Sequence, residues 1–304
     1  VVSVATGIFA RLSTYQKFVN LWLILSVNSV TLGGLLFLLS AGFSLIFGLM
    51  RIPNLTHGSM FMLGAYFGVT CIALGFGFWT AALTAGLGVA ALGAVVERFV
   101  LRRLMGAELA QVLVTLGLSF MIADVCLMQW GGDPISVDTP PALRGTASVF
   151  GLSLVIYRLA IIVIAAMTAA TLWLLLERTR LGAMIRAAVD DPAMARAVGI
   201  RVSRLFTIVF ALGAGLAGFA GMIGGPILSV YPGLDQDMLP LALVVVILGG
   251  TGRLLGSLVG SFVVGLLYNF GQAVFPELAY VILFLPMLIV LVLRPQGLFG
   301  RVTL

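Results

Sequence analysis

"FVNLWLILSVNSVTLGGLLFLLSAGFSLIFGLM", residues Phe18 to Met50, holds no Asp, Glu, Lys, Arg or His. About 20 apolar residues suffice for an α-helix to cross the hydrocarbon core of a bilayer, so this run exceeds what one crossing needs. Its apolar part, Leu21 to Met50, would be roughly 45 Å long as a helix and must tilt, break or begin in the interface. A second uncharged run extends from Leu205 to Leu234. In lipid every backbone amide and carbonyl has to be bonded within its own segment or a closed barrel. The alternating apolar and polar pattern of a membrane barrel is absent, so the spans are read as helical.

The rest of the chain agrees. Of 304 residues, 61% are hydrophobic and only 9% charged, with a mean hydropathy of +1.19. Soluble domains carry about a quarter charged residues, so this is an integral membrane protein. Apolar elements fall at about Leu21 to Met50, His57 to Gly75, Phe78 to Val96, Leu109 to Trp130, Val155 to Leu176, Leu205 to Leu228, Met238 to Thr251, Leu254 to Val274 and Leu278 to Leu293. The expected fold is an all-α, polytopic bundle of about 8 to 10 membrane elements, with residues 1–304 forming one membrane domain. No soluble domain, low-complexity linker or cleavable signal pattern is evident. Cys71 and Cys126 lie inside apolar stretches without CxxC spacing and read as buried thiols.

A pI near 9.9 and a charge of +6 reflect topology rather than a nucleic-acid partner, because the basic residues sit at the ends of apolar runs. If Glu97 to Glu108, Glu177 to Arg204 and the tail from Arg294 face the cytoplasm, alternation puts Arg51 and Arg253 there too; 13 of the 17 basic residues then lie inside and only Arg11, Lys17, Arg144 and Arg158 outside. The outer connections differ in kind. "DVCLMQWGGDPISVDTPPALR", Asp124 to Arg144, carries three Asp, one Arg and Gly and Pro turns, and "YPGLDQDMLP", Tyr231 to Pro240, is read as a second acidic outer turn. Either a plain solvated loop or a surface that receives a soluble donor protein fits both.

The most charged stretch is "RAAVDDPAMARAVGIRVSRLF", Arg186 to Phe206. Asp191 followed by Pro192 is a helix start: a capping carboxylate, then a residue whose missing N–H costs nothing at the first position. Gly199 suits the left-handed position that ends a helix. The piece between, "PAMARAV", spans roughly 10 Å and is too short to be stable alone, so it docks on something. It either packs on its own protein or is displayed to a partner through Met194 and Val198, with Arg196 on another face.

Together with four further segments, this stretch resembles the branched-chain amino acid permeases of ATP-binding-cassette importers, LivH type. "GLMRIPNLTHGSMFMLGAY" (Gly48 to Tyr66) matches an Asn-x-x-His-Gly block at Asn54, His57 and Gly58. "TLGLSFMIADVCLMQWGGDP" (Thr115 to Pro134), "ERTRLGAMIRAA" (Glu177 to Ala188) and "RPQGLFG" (Arg294 to Gly300) complete the set. The resemblance implies a cytoplasmic coupling loop at about residues 178–204, with Arg186, Asp190, Asp191, Pro192, Met194, Arg196, Val198 and Gly199 meeting an ATPase. The family's coupling signature often reads Glu-Ala-Ala, three residues, Gly. Here those positions are Ala193, Met194, Ala195 and Gly199, so Asp190 or Asp191 would supply the acidic contact. The implied assembly is a second permease subunit, identical or related, two cytosolic ATPase subunits carrying ATP and Mg, and a periplasmic solute-binding protein, in a bacterial cytoplasmic (inner) membrane. No cofactor or metal is expected in this chain.

The chain lacks an engine of its own. The only lysine, Lys17, is followed by Phe18, which excludes a G-x-x-x-x-G-K-[ST] phosphate loop. The spans read as free of carboxylates apart from Asp124, which disfavours ion coupling. His57 has no partner set for catalysis, which disfavours a membrane enzyme. Pathway candidates are Asn54, Thr56 and His57, at a Pro- and Gly-interrupted helix, Gly249 and Gly250 within "VVVILGGTGRLLGSLVG" (Val244 to Gly260), and the polar points Asn28, Asn269 and Gln272. Each has a bland counterpart: a hinge for the first three, close packing for the glycines and interhelical hydrogen bonding for the polar points. The glycines of "ALGAGLAGFAGMIGG" (Ala211 to Gly225) read first as packing. The expected function is import of branched-chain or other small amino acids, with urea, short amides or small organic acids as the alternative solutes and an ion-coupled carrier or channel as the further rival.

Overall fold

The structure is a computed structural model that describes residues 2–50, 54–149, 152–250, 252–294 and 297–299. Among them run eleven α-helices: α1 (Val2–Met50), α2 (Thr56–Ala73), α3 (Phe78–Phe99), α4 (Glu108–Trp130), α5 (Ile156–Arg178), α6 (Arg180–Asp190), α7 (Pro192–Ala197), α8 (Val202–Leu228), α9 (Leu234–Gly249), α10 (Leu254–Val274) and α11 (Ala279–Leu293). Pro53, Arg51, Thr251, Pro295, Gln296, Gly300 and Arg301, and the side chains of Arg11 and Lys17, lie outside the described residues. Among the described residues the strands form a small antiparallel pair, β1 (Thr146–Val149) with β2 (Leu152–Val155), ahead of α5.

Seven of these helices are long and apolar enough to cross a membrane. The first does not break: α1 continues without interruption from Val2, well before the expected start at Leu21. The remaining two apolar elements, α2 and α9, are the shortest apart from α11, with 18 and 16 residues. Both lie inside the bundle, where irregular backbone at their ends is shielded by protein rather than exposed to lipid.

Bare backbone lets the core helices approach closely. A Cβ on Gly42 would stand 2.4 Å from the Gly213 carbonyl, one on Gly64 2.2 Å from the Gly218 Cα, and one on Gly221 1.9 Å from the Phe61 carbonyl. Gly213 and Gly221 of α8 therefore face α1 and α2, while Gly215 and Gly218 lie against Ala90 and Val89 of α3. Small residues at such crossings gain dispersion contacts that bulkier side chains would prevent.

The connections that carry most of the arginines gather at one end, here termed the basic end. Arg102 reaches Ser203 and Thr207, Gly48 lies against Gly252, and the Leu298 N–H bonds to the Leu248 carbonyl. The loops around residues 131–155 and 229–233 occupy the opposite end, where Ile135 and Val230 form an isolated antiparallel bridge.

Candidate functional site

Two regions hold the residues singled out by sequence, and a third was not anticipated. At the basic end, the charged stretch forms two helices rather than one. α6 is strongly amphipathic and buries Gly182, Ile185 and Ala188. Gly182 sits so near the end of α5 that a Cβ there would meet the Leu176 carbonyl at 2.0 Å. Arg186 donates to that same carbonyl and lies 3.6 Å from Glu177. The second helix, α7, is closed at both ends. The Asp191 carboxylate accepts from the amides of Ala193 (2.8 Å) and Met194 (3.0 Å), and Pro192 occupies the first turn. At the other end Gly199 has φ +88°, its N–H bonds to Arg196 O, and the Ile200 N–H reaches back to Ala195 O. That pair of bonds is a Schellman closure, which satisfies the last carbonyls of the helix.

The faces of α7 divide cleanly. Ala195 is buried with Leu49, Ile185, Ala188, Val202, Leu205 and Val209, so the helix packs on its own protein. Met194 and Val198 point the other way, 61% and 69% exposed. Asp191 is occupied in capping, whereas Asp190 and Arg196 are exposed.

The second region surrounds the start of α2. Asn54 is buried; its side-chain oxygen accepts from the Thr56 N–H at 3.2 Å and its backbone oxygen from the His57 N–H. Thr56 Oγ1 donates to the Thr115 carbonyl, and Thr115 Oγ1 in turn accepts from the Leu55 N–H. His57 Nε2 lies 2.9 Å from the Leu39 carbonyl, which can only accept, so that nitrogen carries the proton; the ring packs 5.2 Å from Phe43. Asn54 Nδ2 and His57 Nδ1 find no partner among the described residues. Asn54, Gln111 and Thr115 also line a cavity of about 10 Å³ with Ile46, Met50, Leu101 and Phe210, room for at most about one water.

The structure does not bring the other pathway candidates to this place. Asn28 is half-buried on α1, and Asn269 donates to Gly265 O of its own helix. Gln272 is exposed. Gly249 packs its backbone on α10, where a Cβ would meet the Gly256 carbonyl at 2.2 Å, and Gly250 (φ +94°) lies against Gly297.

The third region corrects two sequence expectations. The segment from Tyr231 to Pro240 is a solvated acidic turn only in part: α9 starts at Leu234, and Asp235 is 4% exposed while Asp237 is exposed. Ser59 of α2 donates to Asp235 Oδ2 at 2.8 Å and lies 2.7 Å from the hydroxyl of Ser119, the middle residue of α4. Asp235 therefore sits at mid-height of the bundle, and the spans are not free of carboxylates. The physical reason is that α9 begins deep inside, so its acidic first turn is carried inward with it. Glu97 likewise belongs to the last turn of α3 rather than to an exposed connection. It is fully buried, bridged by Arg102 (3.1 Å) and by Thr207 Oγ1 of α8 (2.6 Å).

A bundle of long apolar helices broken at α2 and α9, with a docked and capped helix at its basic end, is what a permease would present. Residues 25–291 match the family described as the permease component of branched-chain amino acid transport systems. The chain belongs to that family. Among its curated relatives, the high-affinity branched-chain amino acid transport system permease protein BraD of Pseudomonas aeruginosa is 27% identical, the alignment covering 90% of this chain and 94% of BraD. LivH of Escherichia coli K12, a permease protein of the same description, is 25% identical over 90% and 94%. A ribose import permease protein, RbsC of E. coli, is 29% identical over 59% of this chain and 57% of its own. No solved structure gives a significant match. As a member of this permease family the chain is a multi-pass membrane protein, and α7 and the α2 start fall within the matched region.

Proposed function

We propose that this chain is the membrane-spanning permease subunit of an ATP-driven importer for branched-chain or other small amino acids, in the cytoplasmic membrane of a bacterium. The observation that carries the reading is the division of α7: Ala195 anchors it in the protein's own core while Met194 and Val198 stay exposed beside Arg196 and Asp190. A short helix with both ends capped and an apolar stripe uncovered is built to be held by another protein. That partner is a pair of cytosolic ATPases, whose bound ATP and Mg supply the energy this chain lacks. The basic end is then cytoplasmic, as the arginine count requires.

In this scheme Met194, Val198 and Arg196 meet the ATPase, with Asp190 as the free acidic contact. Asp191, Pro192 and Gly199 fix the shape of the helix, and Arg186 fixes α6 against the end of α5. A push on α7 passes through Ile200 and Val202 into α8, and through the Glu97–Arg102–Thr207 cluster into α3. The pathway from a second permease subunit's side runs past Asn54, Thr56 and His57, with Asn28, Gly249, Gly250 and Asn269 as its outlying members. A soluble binding protein on the outer face delivers solute. ATP-driven switching between two states needs different contacts in each.

Vesicles containing the chain with its ATPase subunits and binding protein should accumulate L-leucine only when ATP is present inside the ATPase compartment. Accumulation by the purified chain alone would overturn the assignment. Urea, short amides or small organic acids are the alternative solutes, separated by the same uptake assay. A buried carboxylate such as Asp235 is a feature that an ion-coupled carrier would share, and dependence on ATP rather than on an ion gradient distinguishes the two.

A further inference from the structure

The N-termini of two interrupted helices meet in the middle of this bundle. α2 runs from Thr56 toward the loop end and α9 from Leu234 back toward the basic end; a Cβ on Gly58 would stand 2.8 Å from the Asp235 carbonyl, so only glycine fits there. Both helix dipoles present their positive ends here, which favours negative charge at this place. Asp235 supplies it from the first turn of α9.

One carboxylate oxygen is satisfied and the other is not. Oδ2 accepts from Ser59, which is itself bonded to Ser119, while Oδ1 is enclosed and has no partner among the described residues. No arginine, lysine or histidine pairs with Asp235 among them. The groups hydrogen-bonded around it are neutral: Ser59 from α2 and, through it, Ser119 from α4. Further along α2 the buried Tyr66 hydroxyl is a second enclosed polar atom without a partner among the described residues, and Cys126 is buried further along α4. The two helix ends and Ser59 compensate this carboxylate only in part, and a cation that reaches Oδ1 would complete it.

Resting on the importer reading above, we propose that Asp235 is a fixed negative site at mid-depth that takes the protonated amine of the transported solute, with Ser59 holding the carboxylate and Tyr66 offering a second polar contact. The ligand class is a small primary ammonium compound, as in a zwitterionic amino acid, rather than a neutral amide or an organic acid.

Cys126 is a native reporter for this site. In membrane vesicles holding the full chain with its partner subunits, and with Cys71→Ser leaving Cys126 as its one thiol, the rate of Cys126 modification is compared for an aminoethyl and a sulfonatoethyl methanethiosulfonate. The cationic reagent should react at least tenfold faster, and isobutylammonium should slow it where isobutanol and potassium ions do not. Asp235→Glu should keep the charge preference and Asp235→Asn should bring the ratio near one, each read per mole of inserted chain. An unchanged ratio in Asp235→Asn, equal protection by potassium or isobutanol, or no modification of Cys126 would overturn the proposal. ATP-dependent leucine uptake is read in the same vesicles, so a chain that keeps the charge preference but transports nothing sinks the importer reading alone.

Discussion

The hydroxyl of Thr207, in the second turn of α8, donates to the fully buried carboxylate of Glu97, in the last turn of α3, at 2.6 Å. Arg102 binds the same carboxylate at 3.1 Å and also donates to the Thr207 hydroxyl and the Ser203 carbonyl. Three side chains thus tie α3 to the point where the chain leaves α7 and enters the membrane. Removing one member leaves a buried charge or donor uncompensated.

Glu97→Ala is expected to destabilise the chain by about 3 to 5 kcal/mol, the range for breaking a buried pair. Thr207→Val keeps the shape and should cost less, about 1.5 to 3 kcal/mol for one bond to a charged group. Thermal unfolding in detergent measures both. Equal stability of Glu97→Ala and the parent would show that the cluster holds nothing together.

Gly199→Pro should abolish solute uptake while the protein remains inserted at normal abundance. Proline cannot reach φ +88° and has no N–H for the Arg196 carbonyl, so the end of α7 must unwind. Reversing the charge at Arg196 should have the same effect on transport without touching the fold, because that side chain is exposed. Normal uptake by both variants at matched abundance would contradict the role given to α7.

Gly64→Val should prevent assembly of the bundle, since its Cβ falls 2.2 Å from a backbone atom of Gly218 that cannot move aside. Gly117→Ala is the matched control: nothing lies within 4 Å of a Cβ there, and the exchange should stabilise α4 by up to about 1 kcal/mol. Yield of folded protein after detergent extraction separates the two.

His57→Ala is expected to reduce transport more than membrane abundance. The ring ties α2 to the Leu39 carbonyl through Nε2 and leaves Nδ1 free in the interior. A parallel fall in uptake and abundance, measured by quantitative blotting against initial rates, would assign His57 to holding the helix in place.

Hydropathy makes the apolar elements legible because each is an uninterrupted run, and the ends of α7 can be read from Asp191, Pro192 and Gly199 because capping is local chemistry. Asp235 is not legible in the same way. It stands three residues after Pro232 and two before Asp237, a pattern shared by exposed turns, and only the close approach of Gly58 and the hydroxyl of Ser59 reveal that the turn is drawn inside. Glu97 fails for a related reason: a carboxylate one turn from a helix end looks solvated until Thr207, 110 positions later, is found beside it. The first helix of the charged stretch, α6, could have been found from Ile185 and Ala188, three apart on its buried face.

The glycine contacts of α8 have a mechanical meaning. Where side chains interlock, sliding one rod along another forces every rotamer to re-sort and opens voids; where bare backbone meets bare backbone, as at Gly42 with Gly213 and Gly64 with Gly218, there is little to catch. At these two crossings α8 can shift against α1 and α2 with few rotamers to re-sort, while Thr207 and Glu97 clamp its root to α3, so displacement applied there moves the two helices together.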